Sequence, residues 1–414
     1  MDSLMPNAAP QNATRPPGRK AQLLRLASEL FATKGYPNVS VAQIAAAAGV
    51  TAPSIYRHFP DKQAILGEAV LDAIRCLEEV ADPELTFEEF VTEMTSVTVT
   101  RPDLAVLWRW GVLHIGPQWQ ATIRGRSKAL MDRWTTRVRM LRPELDPENA
   151  RLLAITMASA ISSANVRPGR LSPTKHAGVL AEVVRRVVSI PPLAKADGAR
   201  RADQAEEPPQ NRREQLLGAA SRLFLDRGFT AVGVDEIGAA VGITGPSVYR
   251  HFPDKQAILA AVCLRGVRTL ADRVEAELAR LTSDDPALRL KALVRAHVAV
   301  LLSSPDLVVA GSMGSSELVG AAGQEAHDFL RAHVARWTTA LLQLDEARTP
   351  PTRPANGALS PAEAKVIVYA AITLANDLAR TKSTRERPDI EAETQLLMAA
   401  AVGLDCAAAH RGGG

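Results

Sequence analysis

Cysteine, aromatic residues and charge imbalance are all scarce in this chain. Its three cysteines, Cys76, Cys263 and Cys406, stand far apart in 414 residues. That spacing argues against a disulfide framework or a thiolate metal centre and fits free thiols in a reducing cytosol. Aromatics are only 4%, and abundant Ala and Leu favour helix over strand. Net charge is only +4, so any nucleic-acid contact must come from locally clustered cations. Long hydrophobic runs are missing too. The longest uncharged stretch, between Arg151 and Arg167, is broken by Thr156, Ser159, Ser162, Ser163 and Asn165; it reads as a buried helix, and no membrane association is expected. Residues 1–18 have no apolar run, so no signal peptide is expected and a cytoplasmic location follows. There is no P-loop, dinucleotide fingerprint, zinc spacing or recurring nucleophile arrangement, so no enzyme, metal or cofactor is expected.

What the chain does contain is itself, twice. Residues 19–66 align without gaps on 212–259 at an offset of 193, and 29 of these 48 pairs are identical. "SIYRHFPDKQAIL" (Ser54–Leu66) returns as "SVYRHFPDKQAIL" (Ser247–Leu259). The offset then becomes 203: Asp82-Pro83 answers Asp285-Pro286, and "RWTT" at Arg133–Thr136 answers "RWTT" at Arg336–Thr339. About ten extra residues are therefore expected between Leu259 and Asp285. "AISSAN" (Ala160–Asn165) resembles "AITLAN" (Ala371–Asn376). Between the copies, residues 191–211 are rich in Pro, Ala and charge without apolar periodicity, which is a linker with an r.m.s. span on the order of 25 Å. The domain reading is a tail (1–18), head one (19–66), helical domain one (67–190), linker (191–211), head two (212–259), helical domain two (260–405) and a tail (406–414).

Each copy punctuates itself into helices, giving an all-α unit of about nine. Leu23, Leu24, Ala27, Leu30 and Phe31 form one helix face ending before Gly35. Ser40 with Gln43 makes a capping box for a short second helix. Thr51 caps a third, Ala52 to about His58, ended by Pro60, and a fourth runs from about Asp61 to Ala81. Later starts are expected at Asp82, Pro102, Pro117, Asp146 and Ser172, and in copy two at Asp285, Ser304, Ser360 and near Pro388. The short helices joined by "AAGVT" or "AVGIT" form a helix-turn-helix. Ile55 and Phe59 face inward on this reading, and Thr51, Ser54, Tyr56, Arg57 and His58 outward. Hydroxyls, a ring and cations on one exposed surface suit phosphates, thymine methyls and base edges. Tyr56 or His58 alone equally suits a partly buried interface. Their persistence in both copies, while Ala42 became Asp235 and Ala52 became Gly245, favours the DNA reading.

On the stretch "FATKGYPNVSVAQIAAAAGVTAPSIYRHFPDKQAIL", both heads resemble the DNA-binding head of the TetR-type bacterial repressors. The tandem layout is similar to the double-headed TetR regulators of actinobacteria, among them the regulator of a mammalian-cell-entry (lipid-uptake) operon. The resemblance implies DNA contacts from Ser40, Thr51, Ser54, Tyr56, Arg57, His58 and Lys62, and from Thr244, Ser247, Tyr249, Arg250, His251 and Lys255. Gly233 replaces Ser40 in the second head, which puts that contact in doubt there. Arg15, Arg19, Lys20, Arg212 and Arg213 are equally read as phosphate contacts or as solvated charge. Recognition helices beginning Ala52-Pro53 and Gly245-Pro246 offer no long donor for bidentate base readout. Specificity then leans on Arg57 and Arg250, on residues 42–43 and 235–236, or on DNA shape, and the half-sites of an imperfect palindrome are expected to differ.

The resemblance further implies dimer-like pairing of the last two helices. In one chain that makes a single-chain pseudo-dimer on a double-stranded operator; two chains presenting four heads is the alternative. It also implies a small apolar or lipid-like effector. Trp108, Trp110, His114, Met131, Trp134 and Met140 are candidates for lining a pocket, or for ordinary packing. Gly311 and Met313 stand opposite Trp108 and Trp110, so a cavity in copy two is the other possibility. The expected function is a sequence-specific repressor released by its ligand; the rival is a non-specific DNA-compacting protein.

Overall fold

The computed structural model describes residues 18–111, 114–165, 171–191, 211–312, 320–348 and 357–404. Among these residues there are nineteen α-helices and no strand. The first copy runs α1 (Arg19–Lys34), α2 (Val41–Ala47), α3 (Ala52–Ile55), α4 (Lys62–Val80) and α5 (Phe87–Thr100). It continues with α6 (Pro102–Trp110), α7 (Pro117–Leu141), α8 (Pro147–Ser162) and α9 (Pro173–Val188). The second runs α10 (Arg212–Arg227), α11 (Val234–Ala239), α12 (Gly245–Val248), α13 (Lys255–Ala279) and α14 (Pro286–Ser303). It ends with α15 (Pro305–Ser312), α16 (Gly320–Arg348), α17 (Pro361–Arg380), α18 (Lys382–Arg385) and α19 (Ile390–Ala401).

The starts follow from capping chemistry. Asp61, Asp146, Ser172, Asp254 and Ser360 each accept from a backbone N–H of the first turn. Proline occupies N1 in α6, α7, α8, α9, α14 and α17, where its missing donor costs nothing. Two expectations need correction. The fifth helix begins at Phe87, because Thr86 and Glu89 form a full capping box, and not at Asp82. The third helix stops at Ile55 and passes into a turn before reaching His58.

The ten added residues of copy two are not confined to the stretch before Asp285. Six lengthen α13, which has 25 residues against 19 in α4, and four lengthen α14, which has 18 against 14 in α5. The extension is a taller α13–α14 hairpin. Inside it the buried Glu277 is ringed by Arg273, Arg280 and Arg295 at 3.0–3.2 Å.

Each head closes on a small core: Leu23, Phe31, Ile44, Ile55 and Phe59 in the first, and Leu216, Phe224, Ile237, Val248 and Phe252 in the second. Gly49 and Gly242 sit in the two helix-helix turns at φ 64° and 74°, a backbone that side chains with a Cβ rarely adopt. Arg19 donates to the Ala48 carbonyl at 3.3 Å, and its counterpart Arg212 donates to that of Val241 at 2.8 Å. These arginines pin the first helix of each head to its turn.

The copies meet through α8 and α9 on one side and α17 and α19 on the other. Most of this contact is apolar, and α17 is buried along nearly its whole length. Among the described residues an ion pair crosses it: Arg109 of α6 donates from Nε and Nη2 to Asp377 Oδ1 of α17 at 3.1 and 2.8 Å. Both side chains are 9% exposed. Arg387 also donates to Asn149 Oδ1 at 2.6 Å while paired with the buried Glu393.

Candidate nucleic-acid interface

The outward surface of each recognition segment is built as the sequence pattern requires. Ile55 and Phe59 are buried, as are Val248 and Phe252, and this drives the intervening residues outward. Tyr56 and Tyr249 are each 54% exposed, an identical placement in two separate heads. Arg57, Arg250 and His251 are exposed, and His58 is half-buried. Thr51 and Thr244 hold the N-cap position without a side-chain cap bond. Ser54 Oγ donates to the Thr51 carbonyl at 2.8 Å, and Ser247 shares a 3.0 Å hydrogen bond with the Thr244 hydroxyl. Ser40 completes a full capping box with Gln43, at 3.2 and 2.7 Å. In the second head only half of that box survives, Gly233 N–H donating to Glu236 Oε2 at 2.7 Å.

The two lysines turn inward. Lys62 Nζ stands 4.1 Å over the Tyr36 ring. Lys255 Nζ donates to the Phe229 and Val232 carbonyls at 2.8 Å each and lies 4.4 Å over the Phe229 ring. Burial lowers both ammonium pKa values. Each lysine therefore fastens the loop before the second helix to the start of the fourth. Lys20 and Arg213 likewise lie over the Phe59 and Phe252 rings, at 5.2 and 4.7 Å. Arg15 lies outside the described residues.

An open groove of about 530 Å³ runs along head one between the start of α2 and α3, with Ser40, Ala42, Ala52, Tyr56 and Lys62 among its lining. Both alanines that differ between the heads lie in it. The second head leans on copy one: Thr230 Oγ1 hydrogen-bonds with His114 Nδ1 at 3.2 Å, and the His114 ring stacks on Tyr36 with centroids 5.4 Å apart. His114 thus bridges the two heads. Burial and the neighbouring Lys62 charge lower its pKa.

The remaining effector candidates divide. Trp108 and Trp134 line a space of about 10 Å³ with Leu77, Met94, Thr98 and Ile161, room for one water. Met131 is only partly buried at the core edge, and Met140 is 78% exposed at the end of α7. Gly311 leaves no cavity: a Cβ there would meet Asn376 Nδ2 at 2.5 Å, so Asn376 fills the space that Trp108 takes in copy one. Met313 and the side chain of Trp110 lie outside the described part. Sequence reading missed a buried polar group in copy two. His297 Nδ1 meets His333 Nε2 at 3.3 Å, and Trp337 Nε1 donates to the same Nε2 at 2.9 Å. At the offset of 203 these positions are Met94, Leu130 and Trp134 in copy one. Burial lowers the His297 pKa to about 4.

The model of the bacterial regulatory proteins of the tetR family matches residues 23–69 and again 216–262. Both heads match that model over nearly their whole length. The chain therefore carries two TetR-like units in tandem, each a helix-turn-helix head with a helical domain behind it. The HTH-type transcriptional activator FasR of Mycolicibacterium smegmatis is 42% identical over 101 residues, 24% of this chain and 44% of the relative. The HTH-type transcriptional repressor KstR2 of the same species is 36% identical over 64 residues, 16% of this chain and 31% of the relative. The chain thus spans less than half the length of either. A solved structure of AibR with isovaleryl coenzyme A and operator DNA aligns at 21% identity and a TM-score of 0.34, over 39% of this chain and 84% of that one. Among the described residues no single helix is long and apolar enough to cross a membrane.

Proposed function

We propose that this protein is a sequence-specific, DNA-binding transcriptional regulator whose two TetR-type heads grip one operator from a single chain. The observation that carries the reading is the duplicated display: in both heads a tyrosine 54% exposed stands beside an exposed arginine, above a buried hydrophobic anchor. A fold needs neither ring outside. Linking the heads makes the second contact intramolecular, at an effective concentration of roughly millimolar. The packing of α8 and α9 on α17 and α19 supports the pseudo-dimer.

The finer reading is a repressor of an imperfect palindrome, released by a small apolar or lipid-like ligand. The relatives' names include both an activator and a repressor, and AibR was solved with an acyl-coenzyme A and operator DNA. The likeness to a regulator of a lipid-uptake operon rests on the doubled layout. The space beside Trp108 and Trp134 is only about 10 Å³, so a ligand entering there must part α4 from α6 and α8. Such a motion reaches head one directly, because α4 carries it.

Footprinting of DNA upstream of its own and neighbouring genes, with excess bulk competitor, tests the reading. One short protected site with one chain per site by mass measurement is expected. Uniform coverage that tracks only DNA length would replace this reading with non-specific compaction.

A further inference from the structure

The two heads differ at one coupled pair of positions that face the groove. In head one, Ala42 and Ala52 present methyl groups to it. In head two these positions are Asp235 and Gly245. A Cβ placed on Gly245 would fall 1.5 Å from Asp235 Oδ1 and 2.7 Å from its Cγ. The carboxylate therefore fills the space that a Cβ at 245 would take, as the Ala52 methyl does in head one, and an aspartate held this way fits over glycine and not over alanine. The two substitutions act as one.

That carboxylate is available to a ligand. Asp235 is exposed beside the first residue of α12, and the N-terminal residues of a recognition helix are those that meet base edges. Its neighbour Glu236 is engaged within the head, accepting from Gly233 N–H at 2.7 Å and pairing with Arg227 at 2.6 Å. Among the described residues no hydrogen bond or ion pair engages the Asp235 carboxylate. A carboxylate on a DNA-facing surface repels phosphate, so its position is useful only opposite a donor on a base. In the major groove the donors are the amines of cytosine and adenine. The adenine amine lies between two acceptors, its own N7 and the O4 of the paired thymine, which oppose an anion; the cytosine amine has an acceptor, guanine O6, on one side only. Thymine offers an acceptor and a methyl, which suit alanine instead.

We propose that Asp235, seated over Gly245, reads a cytosine amine in the second half-site, at the position where Ala42 and Ala52 of the first head meet a thymine methyl. This rests on the DNA-binding reading above and makes its asymmetry specific: two half-sites related by inversion, differing by cytosine for thymine at one position.

The test is selection from a pool of random 40-base-pair duplexes by the full chain and three variants. The wild type should enrich an inverted repeat with cytosine in one arm and thymine in the other. Ala42→Asp/Ala52→Gly should bring cytosine into both arms, and Asp235→Ala/Gly245→Ala thymine into both. Ala42→Asp alone should not convert the arm, because the Ala52 methyl keeps the carboxylate out. Binding to duplexes differing only at that base should show a preference of about tenfold or more, reversed by the paired exchange. The unaltered arm in each enriched site reports that the variant is folded. A repeat that stays asymmetric in the same way in all variants, or is symmetric for the wild type, overturns the assignment and leaves DNA recognition standing. Enrichment of no motif by any protein overturns the DNA-binding reading and this one with it.

Discussion

Asp377→Ala should uncouple the two halves of the chain. Arg109 reaches across the interface to this carboxylate with two hydrogen bonds, and Arg380 adds a third at 3.1 Å. Removing the carboxylate leaves a guanidinium 9% exposed between packed helices. Breaking one partner of a buried pair typically costs about 3–5 kcal/mol. Replacing both, as Arg109→Met with Asp377→Leu, should cost nothing or stabilise by about 1–4 kcal/mol. Urea unfolding of the intact chain measures both, read as midpoint shifts at constant slope. The pair also has a pH signature. Burial opposes ionisation of Asp377, but Arg109 and Arg380 overcome it and hold the carboxyl below its ordinary value. Its contribution is therefore present above about pH 4 and is lost as the pH falls below that. The reasoning fails if Asp377→Ala stays within about 0.5 kcal/mol of wild type, or if the double variant is as unstable as the single one.

Two further predictions concern the helical domains. The His297–His333 pair is kept neutral by burial, with the Arg336 charge also acting on His333. As pH falls from 6.5 toward 4 the unfolded chain takes up protons that the folded core refuses. Stability should drop by up to about 1.4 kcal/mol per pH unit for each histidine, and His297→Met/His333→Leu, the residues of copy one, should flatten that slope in urea titrations. Gly67→Ala should disturb the junction of head one with its domain. A Cβ there falls 2.4 Å from the Trp119 ring, an overpacking worth about 1–3 kcal/mol; melting curves should shift down, and unchanged melting would contradict the packing.

The heads were legible in sequence because their signals are local. Ser40 and Gln43 make a capping box wherever they stand three apart, and the spacing of Ile55 and Phe59 fixes which side is buried. The pocket was not legible. Trp108 and Trp134 do lie together, but whether space remains between them is decided by Leu77, Met94 and Ile161, which arrive from three other helices. Gly311 read as a missing side chain only because Asn376, 65 positions later, was not known to fill its place. Lys62 and Lys255 have partners that the sequence did not show: Tyr36, Phe229 and backbone carbonyls folded back from the preceding loop. Asp235 and Gly245 appeared in sequence as two separate differences, and only their contact makes them one.

The taller α13–α14 hairpin gives the molecule a landmark. An α-helix rises 1.5 Å per residue, so α13 is about 38 Å long where α4 is about 29 Å. Its added turns lie at the end away from the head, where three arginines surround one glutamate. Two halves that would otherwise look alike in projection can then be told apart by silhouette. In images of the chain on DNA the longer arm would mark head two, and with it the arm of the operator that head has chosen.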